Sequence, residues 1–268
     1  MLRPWSRLWL AIPESWFRVG GAAIFFGYVL LEAQRYAVHW PWLGYGVRLS
    51  DGRYLALPYV TVLVDLTMLS VAIGYCVRTP PRARARGFGE VLLPFIAAFW
   101  PMTPFLLLSL FSNLAGIDAE TGRAASAPAA AGATLQNIYH LIRSALATQE
   151  IGVPTYLLGC GLIALGNVID IWGYLTLRRS ISIVAEAREL VTHGPYRWVR
   201  HPIYLGQFIA QAGVWLVLQQ GKPYWALFYA VFVAMQLYRS RVEERVLHEA
   251  FGERFHAWRQ RAYWPLSG

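Results

Sequence analysis

Long apolar stretches separated by short arginine-rich ones run through most of this chain. Residues 91–117, 151–169 and 202–220 contain no Asp, Glu, Lys or Arg, and about 20 apolar residues suffice for a helix to cross a bilayer. Applied along the chain, the pattern predicts six membrane helices, over 16–36, 57–77, 91–111, 151–175, 202–220 and 223–238. The first is uncharged only over 19–31, so Arg18 and Glu32 must snorkel to opposite interfaces, with Trp40 and Trp42 as aromatic anchors. Gly221, Lys222 and Pro223 leave almost no loop before the final span, which makes the last two spans a tight helical hairpin. Beyond it, Leu247, Phe251, Phe255 and Trp258 recur every three or four residues in a charged background, the pattern of an amphipathic helix under the bundle. Residues 112–133, rich in Ala and Gly, read as a flexible outer loop. A short interfacial helix follows over 136–147, with Ile138, Leu141, Ile142, Ala145 and Leu146 on one face. The expected fold class is an all-α membrane protein. A four-helix region over 1–177, with the outer loop at 112–135, precedes a region over 178–268 holding the last two spans and the C-terminal helix.

Composition agrees, since 56% of the 268 residues are hydrophobic and 15% charged, against about a quarter charged in an average soluble domain. The net charge of +9 does not indicate a nucleic-acid partner, because the arginines cluster between apolar runs instead of forming one basic face. With the N-terminus inside, 18 Lys and Arg fall on the inner side and 6 on the outer, so both termini, the 178–201 loop and the C-terminal tail are expected in the cytoplasm. Cys76 and Cys160 lie in apolar segments and read as small packing residues. The six histidines form no metal-binding pair, and no nucleophile elbow or phosphate-binding loop is present. Neither a metal nor a hydrolase site is expected.

Several positions carry candidate chemistry. Pro94, Pro101 and Pro104 should kink the third span. The glycines from Gly159 to Gly166 mimic a nucleotide loop, but within an apolar span they serve close helix packing. Acids inside a membrane are costly to bury, which makes Asp65 and Asp170 candidates to line a substrate path, with Asn167 one turn before Asp170. An alternative for Asp170 is an interfacial place or a pair with Arg178. The segment LVTHGPYRWVRHPIYLG, residues 190–206, is a polar loop running into the fifth span. His201 precedes Pro202, a favoured first helical residue, so the free amides of that helix end, with Arg200 and His201, could take an anion. Tyr196, Trp198 and Tyr204 offer aromatic faces for a base or a cation, or else form an interfacial belt. Arg239 and Glu243 are four apart on one helix face, and the pair Glu243 and Glu244 could accept hydrogen bonds from a diol. A solvated, salt-bridged helix start explains the same spacing.

In order, the pieces Leu190-Val191-Thr192, Gly194, Tyr196, Arg200-His201-Pro202, Tyr204, Gly206, Glu243-Glu244, Leu247, Phe251-Gly252 and Pro265 resemble the integral membrane methyltransferases, which include isoprenylcysteine carboxyl methyltransferase and the phospholipid N-methyltransferases. The resemblance covers about the last 80 residues. It implies an enzyme using S-adenosyl-L-methionine, bound by Leu190, Val191, Tyr196, His201, Pro202, Ile203, Tyr204 and Glu243, with Arg239 tied to substrate and catalysis. The chain departs from the isoprenylcysteine enzymes at Arg188 and Glu189. The implied function is methyl transfer to a lipophilic acceptor, an isoprenylcysteine-like carboxylate or related lipid. Phospholipid amine N-methylation and small-thiol S-methylation are alternatives. From other classes come an NADPH-dependent membrane sterol-type reductase and a non-catalytic scaffold.

Overall fold

Prolines open four helices at or near their first position, where the missing N–H would have had no partner anyway. In the computed structural model, which describes residues 11–39, 47–55, 58–104, 107, 110, 132–146, 150–217 and 223–265, these are α2 (Pro58–Val77), α5 (Val153–Leu177), α6 (Pro202–Val217) and α7 (Pro223–Phe251). The remaining helices among the described residues are α1 (Glu14–His39), α3 (Phe88–Phe99), α4 (Gly132–Leu146) and α8 (Glu253–Arg259). The helical positions of all six expected spans are thus occupied, and α4 falls where the interfacial helix was expected. Leu141, assigned to its apolar face, is nevertheless exposed, whereas Tyr139 is buried. The loop expected to reach 135 gives way to helix from Gly132, and residues 112–131 lie outside the described residues, as do 218–222 at the expected hairpin turn.

Two expectations change. The sixth span was bounded at Tyr238, but α7 runs on unbroken to Phe251, so Arg239, Glu243 and Glu244 ride on the same rod as the apolar segment. The amphipathic C-terminal helix is split: Leu247 and Phe251 close α7, Gly252 turns at φ 50°, and Phe255 and Trp258 belong to α8. Glycine is the residue that takes that left-handed turn at low cost. The third span breaks its α-helix after Phe99 with a 3₁₀ turn over Trp100–Met102 around Pro101, and the described residues 103, 104, 107 and 110 are helical again, the response expected of a missing backbone donor.

Close packing of α5 on α6 anchors the fold. Gly159, Gly166 and Gly173 recur every seven residues, two helical turns, and so form one stripe. Gly206 and Gly213 meet it, and a Cβ at Gly213 would lie 2.5 Å from the Gly159 carbonyl oxygen and 2.8 Å from Ile163. Only a hydrogen fits there, the arrangement that lets membrane helices approach. The opposite face of α5 presents Leu157, Leu158, Leu165, Val168, Trp172 and Leu175 outward, while Asn167 and Asp170 are buried. Apolar outside with polar inside reverses the soluble pattern and suits a lipid surround. By length and composition the stretch Val153–Ser180 is able to cross a membrane, while Val62–Val77, Phe88–Met102 and Pro202–Val217 are apolar but shorter.

Two short antiparallel ribbons, absent from the all-helical expectation, supplement the helices: β1 (Val47–Arg48) with β2 (Tyr54–Leu55), and β3 (Ala83–Arg84) with β4 (Glu186–Ala187). The second ties the loop after α2 to the loop after α5. Its small buried residues Ala85, Ala185 and Ala187 pack on Val242 and Val246 of α7.

Candidate functional site

Three pieces of chain converge below the α5–α6 pair: the 178–201 loop, the N-terminal turn of α6 and the second half of α7. The loop is held from beneath, where Trp258 Nε1 donates to the Tyr196 carbonyl at 2.9 Å and Tyr263 N donates to the Trp198 carbonyl at 2.8 Å. Arg200 N donates in turn to the Tyr263 carbonyl at 3.1 Å. The C-terminal segment therefore braces the loop that carries the 190–206 motif. His201 and Tyr204, one helical turn apart, stack with ring centroids 5.3 Å apart and planes 6° off parallel.

Glu243 is the hub of the site. Its Oε1 accepts from the Tyr204 hydroxyl and, at 3.1 Å, from Arg239 Nε, while its Oε2 lies 3.7 Å from His201 Nδ1. The Arg239 guanidinium sits 5.1 Å over the Tyr204 ring and donates through Nη2 to the Ser182 carbonyl at 3.3 Å. Both side chains are consequently fixed before any ligand arrives. Burial pushes the Tyr196 hydroxyl well above its usual range, so it stays neutral.

The two adjacent glutamates do not act as a pair. Glu244 accepts from Arg200 Nη1 at 2.8 Å on both oxygens, approaches His201 Nε2 at 3.1 Å and Arg259 Nε at 3.4 Å, and is thereby committed to structure. Arg200 is buried and also donates to the Trp264 carbonyl at 3.3 Å. Both terminal nitrogens of Arg200 are thus committed to Glu244 and the chain, while its Nε is buried without a partner and the residue lines the cavity described below. Burial lowers its pKa and the neighbouring Glu244 opposes that shift. Trp198 is 57% exposed and tilts against Trp172 at 5.9 Å, which fits the interfacial belt and not the site.

A cavity of about 600 Å³ extends from this hub up between α2, α5, α6 and α7. Leu190, Val191, Tyr196, His201, Ile203, Tyr204, Arg239, Glu243 and Asp170 all line it. Pro202 and Asp65 do not: Pro202 is buried as the opening residue of α6, and Asp65 is buried on α2. Asp170 forms no ion pair with Arg178, and its Oδ1 is buried without a hydrogen-bond partner. The sequence reading missed Tyr174, Gln207, Gln211, Thr67 and Arg188, which also line the cavity. Helical spacing was the available signal, since Asn167, Asp170 and Tyr174 share one face of α5, and Tyr204, Gln207 and Gln211 one face of α6. These groups interlock. Gln236 Nε2 donates to Gln207 Oε1, Gln207 Nε2 to the Tyr174 hydroxyl at 3.3 Å, and Thr67 Oγ1 to Asn167 Oδ1 at 3.1 Å.

The family model for Phospholipid methyltransferase matches residues 154–254, the stretch that builds α5, α6, most of α7 and the loop between them. Residues 154–254 are thus similar to this family. Protein-S-isoprenylcysteine O-methyltransferase of Saccharomyces cerevisiae is 33% identical over 105 residues, which are 37% of this chain and 43% of the relative. The chain thus spans less than half the length of that relative. No solved structure matches. The matched segment includes every motif residue from Leu190 to Glu244, so the resemblance and the hub around Glu243 coincide.

Proposed function

We propose that the protein is a multi-pass membrane methyltransferase that uses S-adenosyl-L-methionine and acts on a lipophilic acceptor, with both termini and the hub in the cytoplasm. One observation carries the reading: Leu190, Val191, Tyr196, His201, Tyr204, Arg239 and Glu243, dispersed over more than fifty positions, face one cavity whose upper part is lined by Val64, Met68, Val71, Phe99 and Met102. Its volume of about 600 Å³ falls within the roughly 300–1,000 Å³ of small-molecule sites.

The residues suit the donor. Glu243 Oε2 is left to accept a ribose hydroxyl, Tyr196 and Tyr204 offer aromatic faces to a cationic centre, and Leu190 and Val191 give an apolar edge for a base. When bound, S-adenosyl-L-methionine supplies an electrophilic methyl on a sulfonium. The chain's part is then placement and exclusion of water, the main levers for an in-line displacement. Arg239, fixed through Nε and Nη2, has Nη1 remaining to orient an anionic acceptor, and a carboxylate needs no general base. The Saccharomyces relative, by its name, methylates an isoprenylcysteine, which supports an acceptor of that kind with its tail between the helices. Asp170 favours a second reading: a buried carboxylate with an unused oxygen can take the proton or the charge of an amine, as phospholipid N-methylation requires.

Detergent-purified protein incubated with donor tritiated on its methyl group and with total lipid extract tests the proposal. Label should move into an organic-soluble product, as a base-labile ester for a carboxylate acceptor or a base-stable product for an amine. Absence of transfer together with lipid-dependent NADPH oxidation would replace it with the reductase reading.

A further inference from the structure

Arg188 lies just ahead of the 190–206 motif, and its surroundings are unbalanced. Arg78, Arg84 and Arg188 share two carboxylates, Glu14 and Glu186. Arg78 contacts Glu14 at 2.5 Å and Glu186 at 2.9 Å, Arg84 contacts them at 3.0 and 2.9 Å, and Arg188 Nη2 contacts Glu186 at 2.6 Å and Glu14 at 3.2 Å. Three positive charges against two negative leave one in excess. The neighbours do not supply the missing anion: Ser182 Oγ donates to Glu186 at 2.8 Å, Phe17 and Tyr75 lie under the guanidinium groups, and Glu189 is exposed.

The excess is localised. Arg78 and Arg84 each reach both glutamates, and neither lines the cavity. Arg188 lines it with a side chain 0% exposed, and because Nη2 alone serves both glutamates, Nε and Nη1 are buried with no hydrogen-bond partner. Buried donors without partners are unfavourable until something accepts from them. We propose that Arg188 is an anion-binding residue of the cavity, receiving a carboxylate or phosphate of the bound molecule beside Arg239, to which Glu186 and Ser182 link it. The glutamates aim the guanidinium, and its unpartnered Nε and Nη1 are what the anion meets.

Two molecules could bring that anion: a nucleoside donor through its amino-acid carboxylate, which rests on the methyltransferase reading, or an acceptor through an acidic head group, which does not. Calorimetry on wild type, Arg188→Gln and Arg84→Gln separates them with two matched pairs: S-adenosylhomocysteine against 5′-methylthioadenosine, and dodecyl phosphate against dodecanol. Arg188→Gln should weaken one anionic probe by about tenfold or more, the scale of a hydrogen bond to a charged group, with its neutral partner within about twofold. Arg84→Gln removes the same charge away from the cavity and should spare both pairs. If Arg188→Gln does not purify folded, Arg188→Lys keeps the charge, removes the guanidinium donors, and should show the same selectivity. Equal loss on charged and neutral probes, no loss on any, an equal effect of Arg84→Gln, or wild-type protein that does not prefer an anionic probe would each overturn the assignment. Failure of wild type to bind either nucleoside would count against the methyltransferase reading, and the dodecyl pair would still judge Arg188.

Discussion

Around the 178–201 loop, charged side chains come in sets: Arg200 and Arg259 with Glu244, Arg239 with Glu243, and three arginines with Glu14 and Glu186. Higher in the bundle, Asn167, Asp170, Gln207 and Gln211 line the same cavity among apolar residues, and Asp170 Oδ1 has no partner. Apart from the unpartnered nitrogens of Arg188 and Arg200, the charged groups of the lower end are paired before anything binds. The upper end leaves polar capacity to be met by whatever enters. A preorganised end suits a cofactor common to many chemistries, and an unsatisfied end suits the discrimination of one acceptor from another.

Glu244→Ala should produce the largest effect on folding. It strands buried Arg200, at a cost of about 3–5 kcal/mol, to be read as a marked drop in unfolding temperature and loss of monodisperse protein in detergent. Gly166→Leu should follow at about 3 kcal/mol, because α6 backbone occupies the space a side chain needs, measured by the same unfolding assay. If Glu244→Ala unfolds like wild type, the lower end is not the preorganised structure described; if Gly166→Leu does, the α5–α6 contact does not anchor the fold. Asp170→Asn should shift stability by no more than about 1 kcal/mol, since it keeps the shape of the buried side chain and removes only its capacity to ionise, while kcat/KM for an amine acceptor falls and that for a carboxylate holds. A fall for both would erase the distinction between the two ends. Trp198→Ala, on the exposed belt, should shift stability by no more than about 0.5 kcal/mol and leave S-adenosylhomocysteine affinity unchanged by calorimetry.

Much of this was legible in the chain. Apolar runs placed the helices, and glycine spacing at Gly159 and Gly166 was correctly a packing signal. The 190–206 motif and Arg239 with Glu243 pointed to residues that share one cavity. What could not be read was how neighbours divide their work. Glu243 and Glu244 look equivalent in sequence, and only the tertiary positions of Arg200, His201 and Arg259 commit one of them to structure. The helix of Arg239 and Glu243 was broken too early because charge was taken to end a span, whereas α7 carries its charged half out below the apolar half. Asp65 reads in the chain as the deeper of the two acids, yet it is Asp170 that lies against the cavity. The β3–β4 ribbon, only two residues on each side, is too short to leave a periodic signal, yet it assembles the cluster around Arg188.

The most direct test of the central claim, that Glu243 and its neighbours form a donor site while Glu244 does not, is calorimetric titration of S-adenosylhomocysteine into wild type and Glu243→Gln in the same detergent. The account predicts binding to wild type and a loss of about 100-fold, roughly 2.7 kcal/mol, in Glu243→Gln, with a smaller fall in unfolding temperature than in Glu244→Ala, since the Gln oxygen still accepts from Arg239 Nε. Equal affinity in both proteins would contradict it.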